Sequence, residues 1–555
     1  MEARFWHQNY DYNVPTTIRY PHIPVPKLLQ VSANIVPNKV ALSLYGSEMT
    51  FWQLYLQVNR MANTLAAMGV KKGDRVGIHL PNSPQYVIAY YAAMSLGAIV
   101  VNLNPMYTAG EIRALSSNTG LTTLFTFDLV LPNIHAVCDE VAVDRVIVTR
   151  ITDYINGMPI STSKELKLKE NWYHFSELME KSNNVRPQKV PICDNDPALI
   201  QFTGGTTGIP KGAVLTHANI IAATLQANMW GNHLNHHTPV DQRNILSMLP
   251  FFHVYGDIVA LNWGIFSCAT QILVPRFDIE EIVNLLAGTE RIQFFPAVPT
   301  MIGAILNHPK AEELELGKKF GLLNSGGAPC PVTLIEKAKE LSISIGEGWG
   351  MSETTSVGLA SPLFGLYKPG SVGIPISDTL VKVVDPDDGV TEVPQGQRGE
   401  LMIKGPQVMQ GYWDDPEETA KQLTDGWLHT GDVVIQDEDG YIFIVDRTKD
   451  MIIASGYNVY PREIDEVIFQ HPKVAEAVTI GVPHEYRGET VKVFITLKPG
   501  QTATEDEIID FCKDKLASYK RPKILEFRDD IPKSSVGKIL RKVLRAEELE
   551  KMNKE

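Results

Sequence analysis

The sequence predicts an α/β protein: a large N-terminal domain of two α/β subdomains and a β-rich, barrel-like subdomain, followed by a small α+β C-terminal domain. Helical periods alternate with short apolar runs over roughly residues 50–345, which is typical of largely parallel sheets. From about 370 to 445 short strands are separated by Gly, Pro and Asp turns, which favours a β-rich unit. The 555 residues are enough to bury more than one core.

The first α/β subdomain begins with an amphipathic helix over Gln53–Met68 and a short strand over Arg75–Leu80. The uncharged stretch Tyr86–Val101 predicts a buried helix, a cap at Gly97 and a buried strand. This stretch is shorter than the roughly 20 apolar residues that span a bilayer, so no membrane span is expected. Leu121–Phe127 predicts a further strand.

The middle of the chain predicts an insertion and then the second α/β subdomain. Residues 150–195 are rich in Lys, Glu, Asn and Ser, and their lack of periodicity predicts an exposed insertion before the next strand, Ala198–Thr203. The second subdomain covers roughly 240–345. Its expected strands are Ile245–Leu249, Gln271–Val274 and Gln293–Phe295, and its expected helices are Ile279–Ala287 and Pro331–Leu341.

The remaining part predicts short strands and then a separate small domain. The β-rich strands are expected over Val381–Asp385, Gly399–Lys404, Asp432–Gln436 and Tyr441–Val445. The last hundred residues predict the helices Glu463–Phe469 and Glu505–Leu516 and the strands Val474–Val482 and Thr490–Leu497. We therefore place the domain boundary near Arg447–Lys449, with a large domain of residues 1–447 and a small one of residues 448–555.

Composition excludes several classes of protein. The net charge of −13 does not fit a nucleic-acid binder, which usually carries a basic footprint. The five cysteines are odd in number and far apart, which favours reduced thiols. The first residues lack a basic region followed by an apolar run, so no signal peptide is predicted. These features predict a cytoplasmic protein with no nucleic-acid partner.

The strongest motif is a Gly- and Thr-rich segment between two strand-like runs, Thr203-Gly-Gly-Thr-Thr-Gly-Ile-Pro-Lys211-Gly212. Its glycines allow a tight loop whose backbone N–H groups converge on an anion, and Lys211 adds a positive charge for phosphate. A Walker A loop has Gly before the Lys and Ser or Thr after it, whereas Pro210 and Gly212 flank Lys211 here. The predicted phosphate-binding residues of this different loop are Thr203, Gly204, Gly205, Thr206, Thr207, Gly208 and Lys211.

This segment and five further motifs resemble the signatures of the adenylate-forming superfamily, which includes acyl-CoA synthetases, peptide-synthetase adenylation domains and firefly luciferases. The motifs follow in the family's order between about residues 30 and 545: Gly346-Glu-Gly-Trp-Gly-Met-Ser-Glu-Thr354, Gly426-Trp-Leu-His-Thr-Gly-Asp432, Asp446-Arg-Thr-Lys-Asp450, Ser455-Gly-Tyr-Asn-Val-Tyr-Pro461 and Pro532-Lys-Ser-Ser-Val-Gly-Lys538. Two further segments resemble bacterial fatty-acyl-CoA ligases in particular, Gly405-Pro-Gln-Val-Met409 and Gly537-Lys-Ile-Leu-Arg541.

The resemblance implies an AMP-forming acid–CoA ligase that works in two steps at one carbon. A carboxylate attacks the α-phosphate of MgATP to give an acyl-adenylate and pyrophosphate, and the thiol of coenzyme A then displaces AMP. The first step brings two anions together, so the site must neutralise charge and hold both reactants in line. The implied cofactors and co-substrates are ATP, Mg²⁺ and coenzyme A. The implied acid is hydrophobic, a medium- or long-chain fatty acid.

The resemblance also implies how the nucleotide is held. Glu353 and Thr203 are the implied Mg²⁺ contacts, since one carboxylate with a hydroxyl and phosphate oxygens suits this ion. Trp349 is expected to lie against adenine, because the glycines beside it leave its face open. Asp432 is the implied ribose ligand, and Arg447 donates to the same sugar. The other implied nucleotide-binding residues are Gly326, Gly327, Ala328, Pro329, Gly348, Gly350, Met351, Ser352 and Thr354.

The predicted catalytic residues are Lys538, His253 and Glu353, and Lys538 is expected to be the most important. Its long ammonium side chain can reach both the carboxylate oxygen and the α-phosphate in the transition state. The resemblance places His253 near the acyl carboxylate, and it implies that a mobile small domain rotates between the two steps about a hinge at Lys449. The residues then implied for the pantetheine channel are Ser455, Gly456 and Tyr457.

Several alternatives stay open from the sequence. An aryl or alicyclic acid is compatible with every motif. An amino-acid adenylation module is disfavoured, because those modules resemble one another in placing Asp after the Phe of the substrate motif, where His253 follows Phe252 here. A light-emitting oxygenase and a non-catalytic nucleotide sensor are more distant alternatives. The sequence decides neither between monomer and homodimer nor whether the protein contacts a membrane peripherally.

Overall fold

The computed structural model describes residues 4–138, 140–141, 143–155, 168–203, 210–447, 450–454, 457–484, 488–513, 515–534 and 537–552. Within these ranges the strands form four sheets. Two large sheets belong to the α/β part, and two five-stranded sheets lie in the β-rich part and at the C-terminal end.

The first large sheet has eight strands and is parallel except at one edge. The strands, in spatial order, are Gly411–Tyr412, Gly212–Thr216, Pro197–Phe202, Ile99–Asn102, Arg75–Ile78, Thr123–Phe127, Arg145–Thr149 and Trp172–His174. Parallel strands are normally covered on both faces and therefore have near-continuous apolar sequences. Ile99–Asn102 fits this rule, since all four of its residues are buried.

The second large sheet has nine strands, with antiparallel strands at both edges. In spatial order they are Ile374–Pro375, Leu359–Ala360, Ile345–Trp349, Phe320–Ser325, Ile292–Ala297, Asn244–Ser247, Thr270–Leu273, Val40–Leu44 and Ser47–Thr50. The strands from Ile345–Trp349 to Val40–Leu44 are parallel, as the helix and strand alternation predicts.

The helix Pro84–Ser95 lies at the centre of the α/β part, and every residue from Pro84 to Met94 is buried. It begins where the Ser83 side chain accepts from the backbone N–H of Tyr86. The chain then turns at Gly97, whose φ is +68°, directly before the strand Ile99–Asn102. The predicted sequence of buried helix, Gly cap and buried strand is confirmed.

Other helices begin at capping boxes. In a capping box, the side chain of the N-cap residue accepts from the backbone N–H three residues later, and the side chain of that later residue accepts from the N-cap backbone N–H. Thr50 with Gln53, and Thr108 with Glu111, form such boxes. The remaining bounds complete the list of α-helices: Pro26–Ile35, Phe51–Ala67, Ala109–Thr119, Leu131–Cys138, Phe175–Lys181, His217–Trp230, Asn232–His237, Trp263–Phe266, Ile279–Gly288, Pro299–Leu306, Leu316–Lys319, Val332–Glu340, Pro416–Gln422, Pro461–Phe469, Glu505–Lys513 and Arg541–Met552. None of the helices in the described ranges has the length and apolarity that crossing a bilayer requires.

The two smaller sheets are built mainly from antiparallel neighbours. The β-rich sheet contains Leu380–Val384, Arg398–Lys404, Trp427–Gln436, Leu423–Thr424 and Ile442–Arg447. The C-terminal sheet contains Tyr457–Val459, Ile452–Ala454, Gly488–Leu497, Val474–His484 and Ile524–Phe527, of which the last pairs in parallel. The C-terminal sheet has its own apolar cluster around Ile464, Val493 and Ile508.

The expected insertion over 150–195 is wrong in part. Trp172–His174 joins the end of the first sheet and pairs with Val146–Val148, and the helix Phe175–Lys181 follows it. All three residues of this edge strand are only partly buried, so it has no continuous apolar run that would mark it in the sequence. Residues 156–167 lie outside the described residues.

A π-helix over Gly256–Asn262 carries a buried carboxyl group, and none of the cations in the described part of the chain pairs with it. Asp257 is fully buried, and its oxygens accept from Asn262 Nδ2 at 2.8 Å and from the Tyr90 hydroxyl at 3.3 Å. Burial raises the pKa of Asp257 to about 8, because the charged form is poorly solvated there. The folded protein therefore keeps this group protonated at neutral pH.

We expect Asp257→Asn to stabilise the protein increasingly as the pH rises. The pKa of Asp257 is higher in the folded state, so stability from this group falls between its ordinary pKa of 3.8 and about 8. The amide has no proton to lose, and it can accept from Asn262 and donate to Tyr90. Thermal unfolding at pH 5, 7 and 9 should show a gain in Tm that grows with pH. A gain that does not change with pH would contradict the buried-acid interpretation, and exposed Asp387→Asn is the control.

Candidate active site

Most of the predicted site residues follow the carboxyl ends of parallel strands. Thr203 comes directly after Pro197–Phe202, the loop 326–329 follows Phe320–Ser325, and Gly350 follows Ile345–Trp349. Loops at this edge of an α/β sheet converge, which is why ligands bind there. Together with residues from the C-terminal part they line one cavity of about 2410 Å³.

The Gly- and Thr-rich motif connects two antiparallel strands of the first sheet. Its two described ends are held together, because Thr203 N donates to Lys211 O at 2.9 Å. Thr203 and Lys211 both line the cavity. The predicted phosphate-binding residues between them, Gly204, Gly205, Thr206, Thr207 and Gly208, lie outside the described residues.

Trp349, Asp432 and Arg447 form one polar group at the cavity, in which Trp349 and Asp432 are buried and Arg447 is partly exposed. Asp432 and Arg447 are cross-strand partners. The two oxygens of the Asp432 carboxylate accept from Trp349 Nε1 at 2.8 Å and from Arg447 Nε at 2.9 Å. The Asp432 charge in turn raises the pKa of Arg447. Sequence reasoning grouped these residues by motif but did not predict the contact between the indole N–H and the carboxylate.

Glu353 is buried and lines the same cavity. It belongs to the short 3₁₀ turn Ser352–Thr354, and its Oε1 accepts from the Tyr412 hydroxyl at 2.7 Å. A Cβ at Gly350 would lie 1.8 Å from the backbone oxygen of Ser356, so only glycine allows the chain to turn so closely there. Glu353 and Thr203 both line the cavity, and carboxylate and hydroxyl oxygens are ligands that suit Mg²⁺.

The loop after the strand Phe320–Ser325 forms another wall. Gly326, Gly327, Ala328 and Pro329 line the cavity, as do Gly348, Met351 and Ser352. Tyr255, which also lines the cavity, contacts this wall: its hydroxyl donates to Asn324 Oδ1 on the strand at 2.6 Å, and its ring lies 3.0 Å from a Cβ built on Gly326. Thr354, also predicted to bind the nucleotide, is fully buried, and its hydroxyl donates to Met351 O at 3.2 Å; its nucleotide-binding role stays a prediction.

His253 and Lys538 come from distant parts of the chain to the same cavity. His253 lies in the turn before the π-helix, where its Nδ1 accepts from Tyr255 N at 3.3 Å. Burial, together with the nearby Lys538 charge, lowers the pKa of His253 to about 4. His253 is therefore neutral at pH 7, while Lys538 supplies the positive charge.

The loop that carries Lys538 packs against the start of the helix Pro299–Leu306. Ser534 N donates to Lys538 O at 2.7 Å, and Lys538 N donates to Ser534 Oγ at 3.1 Å. A Cβ on Gly537, whose φ is +75°, would lie 2.7 Å from Thr300 Oγ1. The backbone of this loop therefore approaches the helix Pro299–Leu306 closely, which fixes the position of Lys538 at the cavity.

Polar contacts also join the C-terminal sheet region to the β-rich sheet. Arg462 Nη1 donates to Ile444 O at 2.7 Å, and Arg462 N donates to Asp446 Oδ2 at 2.9 Å. Arg398 forms an ion pair with Glu463. The predicted hinge and channel residues Lys449, Ser455 and Gly456 lie outside the described residues, and Tyr457 is described only as the first residue of its strand.

Tyr412 and Tyr255 are two cavity residues that the sequence analysis did not predict. Tyr412 is separated from Glu353 by 59 residues and Tyr255 from Asn324 by 69. The sequence signal at Tyr412 was limited to Gly411-Tyr-Trp at a short edge strand, which has no chemical pattern of its own.

Family models match most of the chain. The model described as AMP-binding enzyme matches residues 29–413, and the model described as AMP-binding enzyme C-terminal domain matches residues 463–538.

Similar proteins and structures extend this match over nearly the full length. A long-chain-fatty-acid–CoA ligase of Bacillus subtilis is 38% identical, and one of Escherichia coli O6:H1 is 36% identical, each with 98% of both chains covered. The solved structure of the anthranilate CoA ligase AuaEII in complex with anthranoyl-AMP superposes with a TM-score of 0.84 at 26% identity, covering 96% of this chain and 98% of that one. The predicted fold class and the resemblance to adenylate-forming enzymes are confirmed, and the chain belongs to the AMP-binding enzyme family.

Proposed function

We propose that the protein is an AMP-forming acyl-CoA ligase that activates a medium- or long-chain fatty acid with MgATP and then transfers the acyl group to coenzyme A. The observation that carries this proposal is that Lys538 is docked beside neutral His253 in the cavity that also contains Glu353 and Asp432. A positive charge, a neutral hydrogen-bonding group and nucleotide ligands are then present together. The ligase names of the Bacillus and Escherichia relatives support the same activity.

In the first step, a carboxylate oxygen of the acid attacks the α-phosphorus of ATP, and the bond to pyrophosphate breaks. Lys538 neutralises the charge that develops between the two reactants in the transition state. His253 can hydrogen-bond the acid without adding charge, because its pKa is about 4.

The nucleotide is held by groups whose geometry is already fixed. Asp432, held by Trp349 and Arg447, presents its carboxylate to the ribose hydroxyls. Glu353 and Thr203 would hold Mg²⁺, which offsets the negative charge of the triphosphate when it is bound. Lys211 is the proposed contact to the outer phosphates.

A hydrophobic acid suits the apolar side of the cavity. Bulky apolar side chains line the cavity there, and burying an acyl chain against them removes apolar surface from water, which favours binding. The apolar lining residues include Trp230, Val259, Trp263, Phe294, Leu322 and Leu359. Trp230 is buried and meets Tyr10 edge to face at 5.2 Å between ring centroids, so the N-terminal segment supports this wall.

The second step needs a different arrangement. The thiol must reach the acyl carbon, and in the first step Lys538 lies next to that carbon and blocks the approach. We therefore propose that the chain after about Arg447 rotates as one domain about Lys449, and that Ser455, Gly456 and Tyr457 then line the pantetheine channel. We also propose a cytoplasmic location, in keeping with the free cysteines at 193, 268, 330 and 512.

The test of the function is pyrophosphate release with MgATP across a panel of acids, each with and without coenzyme A. The panel holds acetate, hexanoate, decanoate, palmitate, benzoate, cyclohexanecarboxylate and several amino acids. We expect CoA-stimulated turnover that is highest with decanoate or palmitate. Turnover highest with benzoate would move the protein to the aryl-CoA ligases, and release with amino acids alone, independent of coenzyme A, would contradict the ligase assignment.

A further inference from the structure

We propose that Glu418 holds the phosphate-loop lysine, Lys211, in the nucleotide-free protein, and that ATP must displace this carboxylate to bind. This inference rests on the proposed function only for the identity of the nucleotide. In the structure, Lys211 Nζ forms an ion pair with Glu418 Oε1. The two residues are 207 positions apart, so no local motif predicts the pair.

Glu418 is presented by a well-fixed element. It lies on the helix Pro416–Gln422, whose Asp415 cap accepts from Glu418 N at 3.0 Å. The next residue, Thr419, accepts from Tyr412 N at 2.8 Å and donates to Asp415 O at 2.7 Å. A Cβ on Gly411 would lie 2.7 Å from Thr419 Cγ2, so the helix packs closely on the edge strand Gly411–Tyr412, which pairs with the strand that follows Lys211.

Lys211 is also connected to the proposed Mg²⁺ ligand, Glu353, through Tyr412. Lys211 Nζ lies 5.5 Å from the centroid of the Tyr412 ring, within cation–π range. The hydroxyl of that ring donates to Glu353 at 2.7 Å. Glu418 therefore determines where the ammonium group of Lys211 lies relative to Tyr412 and to Glu353, the proposed Mg²⁺ ligand.

The pair can open at low cost. The side chains of Lys211 and Glu418 are 35% and 23% exposed, and ion pairs with such access to water contribute little to stability. After Lys211 leaves, Glu418 keeps a second cation nearby, since Lys421 Nζ lies 3.9 Å from its Oε2. A triphosphate offers Lys211 more negative charge than one carboxylate does, so the exchange favours the nucleotide.

Removing the competing charge should tighten nucleotide binding. We expect Glu418→Gln to lower the Kd for a non-hydrolysable ATP analogue with Mg²⁺ by about 2- to 5-fold, the range expected for losing one partly exposed ion pair. The amide keeps the shape of the side chain but loses the charge that holds Lys211. Isothermal titration calorimetry without acid or coenzyme A measures this directly. Exposed Glu417→Gln on the same helix is the matched control and should leave the Kd unchanged.

A double-mutant cycle with Lys211→Gln separates competition for Lys211 from any structural effect. With no ammonium to hold, Glu418→Gln should no longer tighten binding in the Lys211→Gln background. The proposal would be overturned if the Kd of the single variant Glu418→Gln were unchanged or higher, or if Glu418→Gln lowered the Kd equally in both backgrounds. Wild-type protein that binds no ATP analogue would contradict the proposed function as well, whereas wild-type binding with no effect of Glu418→Gln contradicts this inference alone.

Discussion

Lys538→Ala is expected to reduce acyl-adenylate formation by about 10²- to 10³-fold, the loss typical of removing one preorganised electrostatic group from a reacting centre. Lys538 lies beside His253 in the cavity, and no compensating charge comes from His253, whose pKa of about 4 keeps it neutral. Thioester formation from supplied acyl-adenylate and coenzyme A should be largely intact, because the lysine serves only the first step.

The measurement compares the two half-reactions in the same variant. Pyrophosphate exchange reports adenylate formation, and thioester release from synthetic acyl-adenylate reports the second step. The control is Lys551→Ala, which removes a lysine of the last helix, where Lys551 Nζ lies 3.0 Å from Glu526. Equal losses in both half-reactions would contradict the proposed domain rotation and would indicate that Lys538 supports the structure of the whole site.

The sequence predicts those parts of the fold whose residues carry a strong local pattern. Tyr86–Val101 is apolar throughout and interrupted by one glycine, so helix, cap and strand follow from local sequence. The edge strand Trp172–His174 has no such pattern. Its residues are only partly buried, and their place in the sheet depends on pairing with the neighbouring strand. In the π-helix Gly256–Asn262, Asp257 accepts from Tyr90, 167 residues away, and such a long-range contact is not visible in the local sequence.

The candidate site divides in the same way. Motif residues such as Asp432 and Glu353 are recognisable because their local sequences carry a chemical pattern. Their partners are not, because Tyr412 and Glu418 reach the site only through the folding of an edge strand and a short helix against the first sheet. Sequence reasoning therefore predicts which groups meet the ligand, and the structure adds the groups that hold them in position.

Asp432→Asn is expected to weaken ATP binding by about 10- to 150-fold, the range for losing one hydrogen bond to a charged group. The native carboxylate accepts on both oxygens, from Trp349 Nε1 at 2.8 Å and from Arg447 Nε at 2.9 Å. In either orientation, an amide places its NH₂ against one of these donors, so Asp432→Asn loses a contact as well as the charge.

Trp349→Phe separates the two contributions to this site. It removes the indole donor while leaving an aromatic ring and the pair of Asp432 with Arg447, so its loss of ATP affinity should be clearly smaller than that of Asp432→Asn. Calorimetry with the ATP analogue measures affinity, and thermal unfolding of the same samples measures any loss of folding. If both variants bound ATP as tightly as the wild type while unfolding at lower temperature, Asp432 would be a structural carboxylate rather than a nucleotide ligand. Weakened binding that exceeds any loss of folding is the expected result, because Asp432 lines the cavity although its side chain is buried.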